Sequence, residues 1–242
     1  MVQTRSPLIF RVSFEVSCDV FIANEFMSES LTVVLAVGAV TLGSLHTLAP
    51  DHWVPFAALS RAQGWSRLRT VRITALCGFG HVTVSALLGV LALFFGLEML
   101  HVIGRRMESV AGLLLVAFGL VYGVLGLRRA AGEHFHGHHH HHYDHVHEPS
   151  KMTPWALFLL FSADPCVAVI PILFAAAPLG VLRTLFVVCA YELATIVTMV
   201  VLVLPARAAV NRVHAPWIGR YGDAAAGGII AAVGVLVAVL GI

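Results

Sequence analysis

Long apolar segments separated by short polar ones dominate the pattern of this chain. Six apolar segments reach the length of a membrane-spanning helix, and they are 31–50, 73–97, 108–127, 154–178, 181–205 and 223–242. A helix needs roughly 20 apolar residues to cross the hydrocarbon core of a bilayer. We therefore predict an all-α polytopic membrane protein with six transmembrane helices. A shorter apolar piece, 53–59, is expected to continue the first helix or to re-enter the membrane.

The two halves of the chain repeat each other. Residues 104–127 align without gaps onto 219–242, with nine of the 24 positions identical. The tripeptide Leu-Arg-Thr recurs at nearly the same offset, and the offset also brings Asp51 within one residue of Asp164. Because each half holds three spans, an odd number, the second copy must lie upside down in the membrane. We predict two inverted three-helix repeats with interrupted helices, an architecture typical of secondary transporters.

This pattern divides the chain into four regions. They are a poorly defined N-terminal extension at 1–30, the first repeat at 31–128, a polar loop at 129–153 and the second repeat at 154–242. The extension mixes apolar residues with charges, which predicts either an interfacial helix or a translation start at Met27.

The composition fits a protein whose main partner is the lipid bilayer. The sequence is 59% hydrophobic and 12% charged, whereas soluble domains carry about 25% charged residues. Its net charge of +2 gives no reason to expect a nucleic-acid partner. Ten of the fifteen Lys and Arg residues lie on the same side as the 129–153 loop. The positive-inside rule therefore predicts a cytoplasmic loop in an integral protein of a prokaryotic cytoplasmic membrane.

Three ionisable residues lie at the end of the first apolar segment, namely His46, Asp51 and His52. Such side chains at membrane depth are costly and usually mark a permeation or ligand site. An unbroken helix would place the three on different faces, but Pro50 removes a backbone donor and disfavours helical geometry at Ala49. We predict a local break that turns both imidazoles and the carboxylate toward one metal ion. The alternative is that Asp51 only caps the helix that resumes at His52.

A fourth candidate ligand is His81 in the second span. Gly78 and Gly80 allow a neighbouring helix to approach closely at this level, which favours a role for His81 as a metal ligand. The alternative is a single histidine that is hydrogen-bonded to a carbonyl group within the bundle.

Three further residues are candidates for a cation pathway or for proton coupling, namely Asp164, Cys166 and Glu192. Asp164 precedes Pro165, a pattern equally typical of a helix N-cap. Cys166 offers a thiolate ligand, although a buried cysteine more often packs as a small hydrophobe. Glu192 lies deep in the fifth span, where it could bind a cation, carry a proton or stay neutral and hydrogen-bonded.

The loop between the two halves is rich in histidine. Nine histidines lie within it, and they are His134, His136, His138, His139, His140, His141, His142, His145 and His147. Such density favours the capture or sensing of borderline metals such as nickel, cobalt, zinc or copper. A solvated linker or a pH-responsive segment is the alternative.

These motifs resemble the nickel/cobalt transporter family and its relatives among urease-accessory permeases and nickel/cobalt efflux proteins. The family signature is a histidine, four residues and then Asp-His, which reads here His46-TLAP-Asp51-His52. A second family motif is similar to the sequence Gly-His-Val-Thr-Val that contains His81. FSADP around Asp164 faintly echoes a third motif, and the efflux branch has a similar histidine-rich loop. The resemblance covers about residues 31–205 and implies a transition-metal permease or exporter, with the first four candidates at its selectivity site.

The leading hypothesis is therefore a secondary transporter, not an enzyme, that carries Ni²⁺ or Co²⁺, with Zn²⁺ as a third candidate. No prosthetic group or nucleotide motif is indicated, so we expect coupling to a proton gradient or to an energising partner, with homo-oligomerisation left open. The wider superfamily that the resemblance implies also contains sulfite and organosulfonate exporters and thiol-disulfide carriers. An anion exporter needs cationic groups or helix N-termini at its site, and a thiol carrier needs two facing cysteines. The spans hold no interior arginine, and Cys166 has no cysteine at its repeat-related position.

Overall fold

The structure is a computed structural model that describes residues 7–95, 97–132, 152–164, 166–212 and 216–240. Every regular element in these ranges is a helix. The elements are α1 (Pro7–His46), α2 (Pro50–Ala62), α3 (Arg67–Phe95), α4 (Leu97–Gly132), α5 (Met152–Ala163), α6 (Val169–Ala176) with a 3₁₀ turn at Ala177–Leu179, α7 (Val181–Arg212) and α8 (Pro216–Leu240). The predicted all-α class is confirmed for this part of the chain.

Five helical segments in the described ranges are long and apolar enough to cross a membrane. They are Glu25–His46, Arg67–Phe95, Val110–Ala131, Val181–Val210 and Arg220–Leu240. Apolar side chains cover much of their outer surface, as shown by Val34, Leu87 and Leu193, each at least 60% exposed. A surface of this kind is expected where lipid replaces water. The fold is thus compatible with an integral membrane protein.

The fourth predicted span, 154–178, is wrong as a single helix. Two short helices replace it, because α5 ends at Ala163 and α6 begins only at Val169. The sequence between them contains Pro165, which has no backbone N–H with which to continue a helix. Residues 7–30 of the N-terminal extension form the first part of α1 and continue as one helix into the first span. The two interpretations of the extension stay predictions.

The predicted break at Pro50 is confirmed. Helix α1 ends at His46, and α2 begins at Pro50 as a separate helix, so the apolar piece 53–59 does not continue α1. Ala49, with φ −56° and ψ 132°, has the extended conformation that a following proline imposes. The conformation of Ala49 is thus the one that a following proline favours, and it separates the two helices.

Helices α4 and α8 pack more extensively against each other than any other pair of described helices. A Cβ atom added at Gly112 would lie 2.8 Å from the backbone nitrogen of Ala238, and one added at Gly126 would lie 2.6 Å from that of Ala224. Residue numbers rise along one helix as they fall along the other, so the two helices are antiparallel. Small residues at such an interface let helix backbones approach closely, which is a common source of stability in membranes.

The two broken elements pack against the remaining long helices. Helix α1 lies on α7, and α5 lies on α3. Helix α2 packs between α7 and α8, and α6 packs between α3 and α7. The ends of the broken helices are thereby gathered inside the bundle, where they carry the polar residues of the candidate site.

Candidate metal centre

Three histidines from three different helices meet inside the bundle. His46 is the last residue of α1, His52 lies in the first turn of α2, and His81 lies in the middle of α3. Each offers a ring nitrogen, and the three nitrogens lie within 4.8 Å of one another. The ring centroids of His46 and His52 are 4.5 Å apart, and those of His52 and His81 are 5.2 Å apart. The structure thus brings together the three imidazoles that the sequence singles out.

The spacing of these nitrogens is close to what a metal ion requires. Nitrogens bound to one ion at about 2.0–2.1 Å lie roughly 3–3.5 Å apart in tetrahedral or octahedral geometry. The separations of up to 4.8 Å therefore need only a small contraction, within reach of side-chain rotation. His52 and His81 are 3% and 2% exposed, so bulk water does not compete for the ion at these ligands.

A hydrogen bond to α5 selects the metal-binding form of His81. Its Nδ1 lies 3.1 Å from the carbonyl oxygen of Phe161. Because a carbonyl oxygen only accepts hydrogen bonds, Nδ1 must carry the proton, and in the neutral ring Nε2 keeps its lone pair. Among the described residues this buried Nε2 has no hydrogen-bond partner. The carbonyl-bonded histidine that was the alternative to a metal ligand is therefore present. It does not exclude a ligand role, because the bond uses Nδ1 and leaves Nε2 available to a metal.

The sequence places His81 against α5 through its neighbour Gly80. A Cβ atom at Gly80 would lie 2.7 Å from the ring of Phe158, so only glycine permits this approach of α3 to α5. The close approach brings the imidazole within reach of the Phe161 carbonyl in the last turn of α5, which also accepts the backbone N–H of Asp164 at 3.4 Å. The predicted role of Gly80 in helix approach is thus confirmed.

The carboxylate of Asp51 lies beside His52. Its Oδ1 is 3.0 Å from Nδ1 of His52, and Asp51 is 7% exposed. The N-cap residue of α2 is Ala49, with no side-chain capping hydrogen bond, so the alternative of Asp51 as the cap is wrong. A carboxylate next to a metal-binding imidazole orients the ring and raises its basicity. Asp51 is therefore placed either to support His52 or to bind the ion itself.

Asp164 joins this group from the second broken element. It directly follows α5, which ends at Ala163. The N-cap residue of α6 is Ala168, so the alternative of Asp164 as the N-cap of that helix is wrong. Asp51 and Asp164 line one cavity, whose other walls are apolar. The structure thus brings together the two aspartates that the sequence repeat pairs.

Cys166 and Glu192 lie outside the group of ligand atoms. The Sγ atom of Cys166 is 2.8 Å from the hydroxyl of Tyr191, and its backbone N–H donates to the Oγ of Ser85. Glu192 is half-buried on α7, where its carboxyl lies 3.4 Å from the Oγ1 of Thr83 on α3. Both residues therefore connect α7 to its neighbours, at a distance from the three imidazoles.

The predicted metal-capture histidines lie outside the described residues. These are His134, His136, His138, His139, His140, His141, His142, His145 and His147. Their interpretation stays a prediction.

The carbonyl group of Phe161 is the part of the site that the sequence did not predict. Every residue has a backbone carbonyl group, so the residue type does not reveal which one is used. In the sequence, Phe161 is one more apolar position of a predicted span. The available signal was Pro165, because a proline ends the helix before it and frees carbonyl groups in the preceding turn.

The site combines three imidazoles, of which His52 and His81 are buried, with the carboxylates of Asp51 and Asp164. Comparison with protein-family models, with curated proteins and with solved structures finds no match.

Proposed function

We propose that this chain is a secondary transporter for a divalent transition-metal cation, with Ni²⁺ and Co²⁺ as the first candidates. The observation that carries the proposal is the convergence of His46, His52 and His81 within 4.8 Å inside an apolar bundle. Placing an imidazole inside a membrane bundle costs free energy, so such residues usually bind a ligand or line a pathway. A stable fold does not need them, since an apolar side chain fills the same space at lower cost.

The donor set supports a borderline transition metal as the cargo. Imidazole suits nickel, cobalt, zinc and copper, whereas magnesium and calcium prefer oxygen ligands. The carboxylates of Asp51 and Asp164 supply negative charge where the low dielectric makes an uncompensated double positive charge very unfavourable. Three neutral imidazoles with two carboxylates form an electrically neutral complex with a divalent ion.

The contacts between α4 and α8 support the predicted inverted repeat. The sequence repeat relates residue 104 to residue 219, an offset of 115. Under this offset, the contact between Gly112 and Ala238 corresponds to one between Gly227 and Gly123, and both contacts occur. Because equivalent helices pack antiparallel with equivalent contacts, a local two-fold axis runs across the pair. An axis of this orientation lies in the membrane plane if both helices cross the bilayer.

The site suggests how transport would work. The three imidazoles tie α1, α2 and α3 together, and the hydrogen bond of His81 ties them to α5. An ion that draws the imidazoles together therefore also fixes the contact between the two halves. Movement of α5 would break the hydrogen bond to His81 and weaken the binding of the ion, which could then leave toward one side of the membrane. Alternating access of this kind needs an energy source, which we assign to an ion gradient or to a partner protein.

Uptake of Ni²⁺, Co²⁺ and Zn²⁺ into proteoliposomes tests the proposal. We expect His46→Ala and His52→Ala to lower uptake about a hundredfold, because each removes one of three ligands. His81→Asn is a sharper variant, since its amide can still donate to the Phe161 carbonyl but lacks a nitrogen equivalent to Nε2. Thr41→Ala is the matched control, because Thr41 is an exposed polar residue on the same helix as His46.

Metal uptake that survives His46→Ala, His52→Ala and His81→Asn would contradict the proposed site. Uptake of sulfite in place of metal would favour the anion exporter of the same superfamily. A thiol-disulfide carrier receives no support from the described residues, since the thiol of Cys166 faces the hydroxyl of Tyr191.

A further inference from the structure

The turn that follows α2 is built on a glycine and carries a buried tryptophan. Gly64 has a φ of 60°, a left-handed conformation that glycine adopts without strain, and it ends the helix. The backbone N–H of Trp65 then donates to the carbonyl oxygen of Ser60 at 2.9 Å. The indole of Trp65 is fully buried and belongs to the same apolar cluster as Cys77 of α3. The end of α2 that lies far from His52 is therefore seated inside the bundle.

A chain of hydrogen bonds fastens this turn to α4 and α8. The indole N–H of Trp65 donates to the side-chain oxygen of Gln63 at 3.1 Å, and the amide nitrogen of Gln63 donates to the hydroxyl of Tyr122 on α4 at 3.1 Å. The Tyr122 hydroxyl donates to the Oδ1 of Asp223 on α8 at 2.7 Å, and Arg129 donates to the Oδ2 at 3.1 Å. Each bond pairs a donor with an acceptor, so the chain is continuous from the buried indole to the carboxylate.

This chain of hydrogen bonds lies at the membrane face where α4 ends. Arg129 is in the last turn of α4, and its side chain is 58% exposed, whereas that of Asp223 is 26% exposed. The three histidines lie at the other end of α2, because His52 and Ala62 are ten residues apart, or about 15 Å along a helix. Helix α2 therefore extends from the candidate metal centre to this face, with a histidine at one end and the fastened turn at the other.

We propose that the hydrogen bonds among Gln63, Tyr122 and Asp223 form a latch that holds α2 across the exit of the cation toward this face. The inference rests on the proposed function, since it identifies which part of the transporter opens. The break around Ala49, where α1 ends and α2 begins, serves as the hinge. When the latch is broken, the far end of α2 moves away from α4 and opens a route from His52 to water.

The nature of the contacts favours α2 as the moving part and the α4–α8 pair as the fixed part. Polar contacts at an aqueous edge are released at low cost, because water replaces them, and Asp223 and Arg129 are partly exposed. The α4–α8 pair instead packs backbone against backbone, as at Gly112 and Ala238. Water cannot replace contacts of this second kind, so separation is expected at the latch.

A second contact between helices lies at the opposite face and provides a comparison. Arg183 near the start of α7 donates to Glu25 of α1 at 2.8 Å. Arg207 near the end of α7 donates to the carbonyl oxygen of Trp65 at 2.6 Å. These two arginines are 24 residues apart, or about 36 Å along a helix, which is enough to cross the membrane. The Glu25 contact is therefore remote from the latch and does not involve α2.

Reaction of Cys77 with a small polar thiol reagent tests the proposal. Cys77 lies one turn before His81 on α3 and is 1% exposed, so its thiol is expected to react only when water enters the cluster around Trp65. Serine in place of the other three cysteines leaves Cys77 as the single thiol. In proteoliposomes without metal, we expect Tyr122→Phe to raise the labelling rate about tenfold, because the change removes two hydrogen bonds of the latch and keeps the ring.

Glu25→Gln is the matched control, because it weakens a contact between helices at the opposite face, and we expect it to leave the labelling rate unchanged. Asp223→Asn keeps the size of its side chain and weakens the latch from α8, so the test remains available if Tyr122→Phe does not fold. Unchanged labelling in both folded latch variants would overturn the inference, as would an equal rise in Glu25→Gln. Absence of Ni²⁺ and Co²⁺ uptake by the wild type would instead overturn the proposed function. The two failures are distinguishable, because the labelling requires no metal.

Discussion

The two broken elements of this chain carry different chemistry on a similar backbone plan. The break between α1 and α2 carries two imidazoles and a carboxylate, in His46, His52 and Asp51. The break between α5 and α6 carries the carboxylate of Asp164 and the carbonyl group of Phe161, with no imidazole. In the proposed function, the first break would bind the ion directly, and the second would orient a ligand and balance charge. The difference teaches that repeated sequence need not give a symmetric site.

His81 connects the two breaks. It lies on α3, outside both, yet its ring contacts His52 on one side and the Phe161 carbonyl on the other. The two Leu-Arg-Thr tripeptides, at 68–70 and 182–184, are 114 residues apart. Under that offset the counterpart of His81 on α7 is Thr195, whose side chain is buried and packs beside Gly43. An imidazole thus occurs at this position in the first half and not in the second, which adds to the asymmetry of the two halves.

The comparison is tested most strongly at Asp51. We expect Asp51→Asn to lower the affinity for Ni²⁺ about a hundredfold, because it removes the carboxylate 3.0 Å from the His52 ring. The substitution keeps the size of the side chain, so the fold is expected to persist. Equilibrium binding of Ni²⁺ to the purified protein measures the effect, and a change of less than a few-fold would mean that His52 needs no support from Asp51.

The equivalent change in the second break has a smaller expected effect. Asp164→Asn removes the second carboxylate of the cavity that Asp51 also lines. Asp51 makes a close contact with a histidine ring, and no such contact is found for Asp164 among the described residues. We expect about a tenfold loss of Ni²⁺ affinity, the lower end of the range for residues that act on metal ligands. Binding measured beside that of Asp51→Asn gives the ratio of the two effects. Equal losses would show that both breaks contribute alike and would contradict the division of roles.

The sequence predicted the first break better than the second for a physical reason. Pro50 and its effect on Ala49 are local, and the costly residues His46 and His52 flank the proline. The second break lies in a segment so apolar that hydropathy alone joined 154–178 into one span. Its functional group is a backbone carbonyl, which meets His81 because α3 packs closely on α5 at Gly80. The sequence indicates a close approach at Gly80 but does not identify α5 as the neighbouring helix.

The meeting of the three histidines was only partly predictable. Two of them are six residues apart around a proline, so proximity follows from chain geometry. The position of His81 depends on how α3 crosses the first broken element, which the apolar surface of a membrane helix does not specify. The glycines on either side of Phe79 indicated a close approach there without identifying the neighbouring helix.

The smallest effect is expected at Cys166, the remaining polar residue of the second break. Its thiol contacts the Tyr191 hydroxyl at 2.8 Å, and its backbone N–H donates to Ser85. Cys166→Ser preserves both contacts, because a serine hydroxyl can pair with a tyrosine hydroxyl and the backbone is unchanged. Uptake and Ni²⁺ affinity are therefore expected to stay within about twofold of the wild type. A loss of affinity as large as that of Asp51→Asn would mean that the thiolate is a ligand at some stage of transport. The second break would then bind the ion directly, and the proposed asymmetry between the two breaks would be wrong.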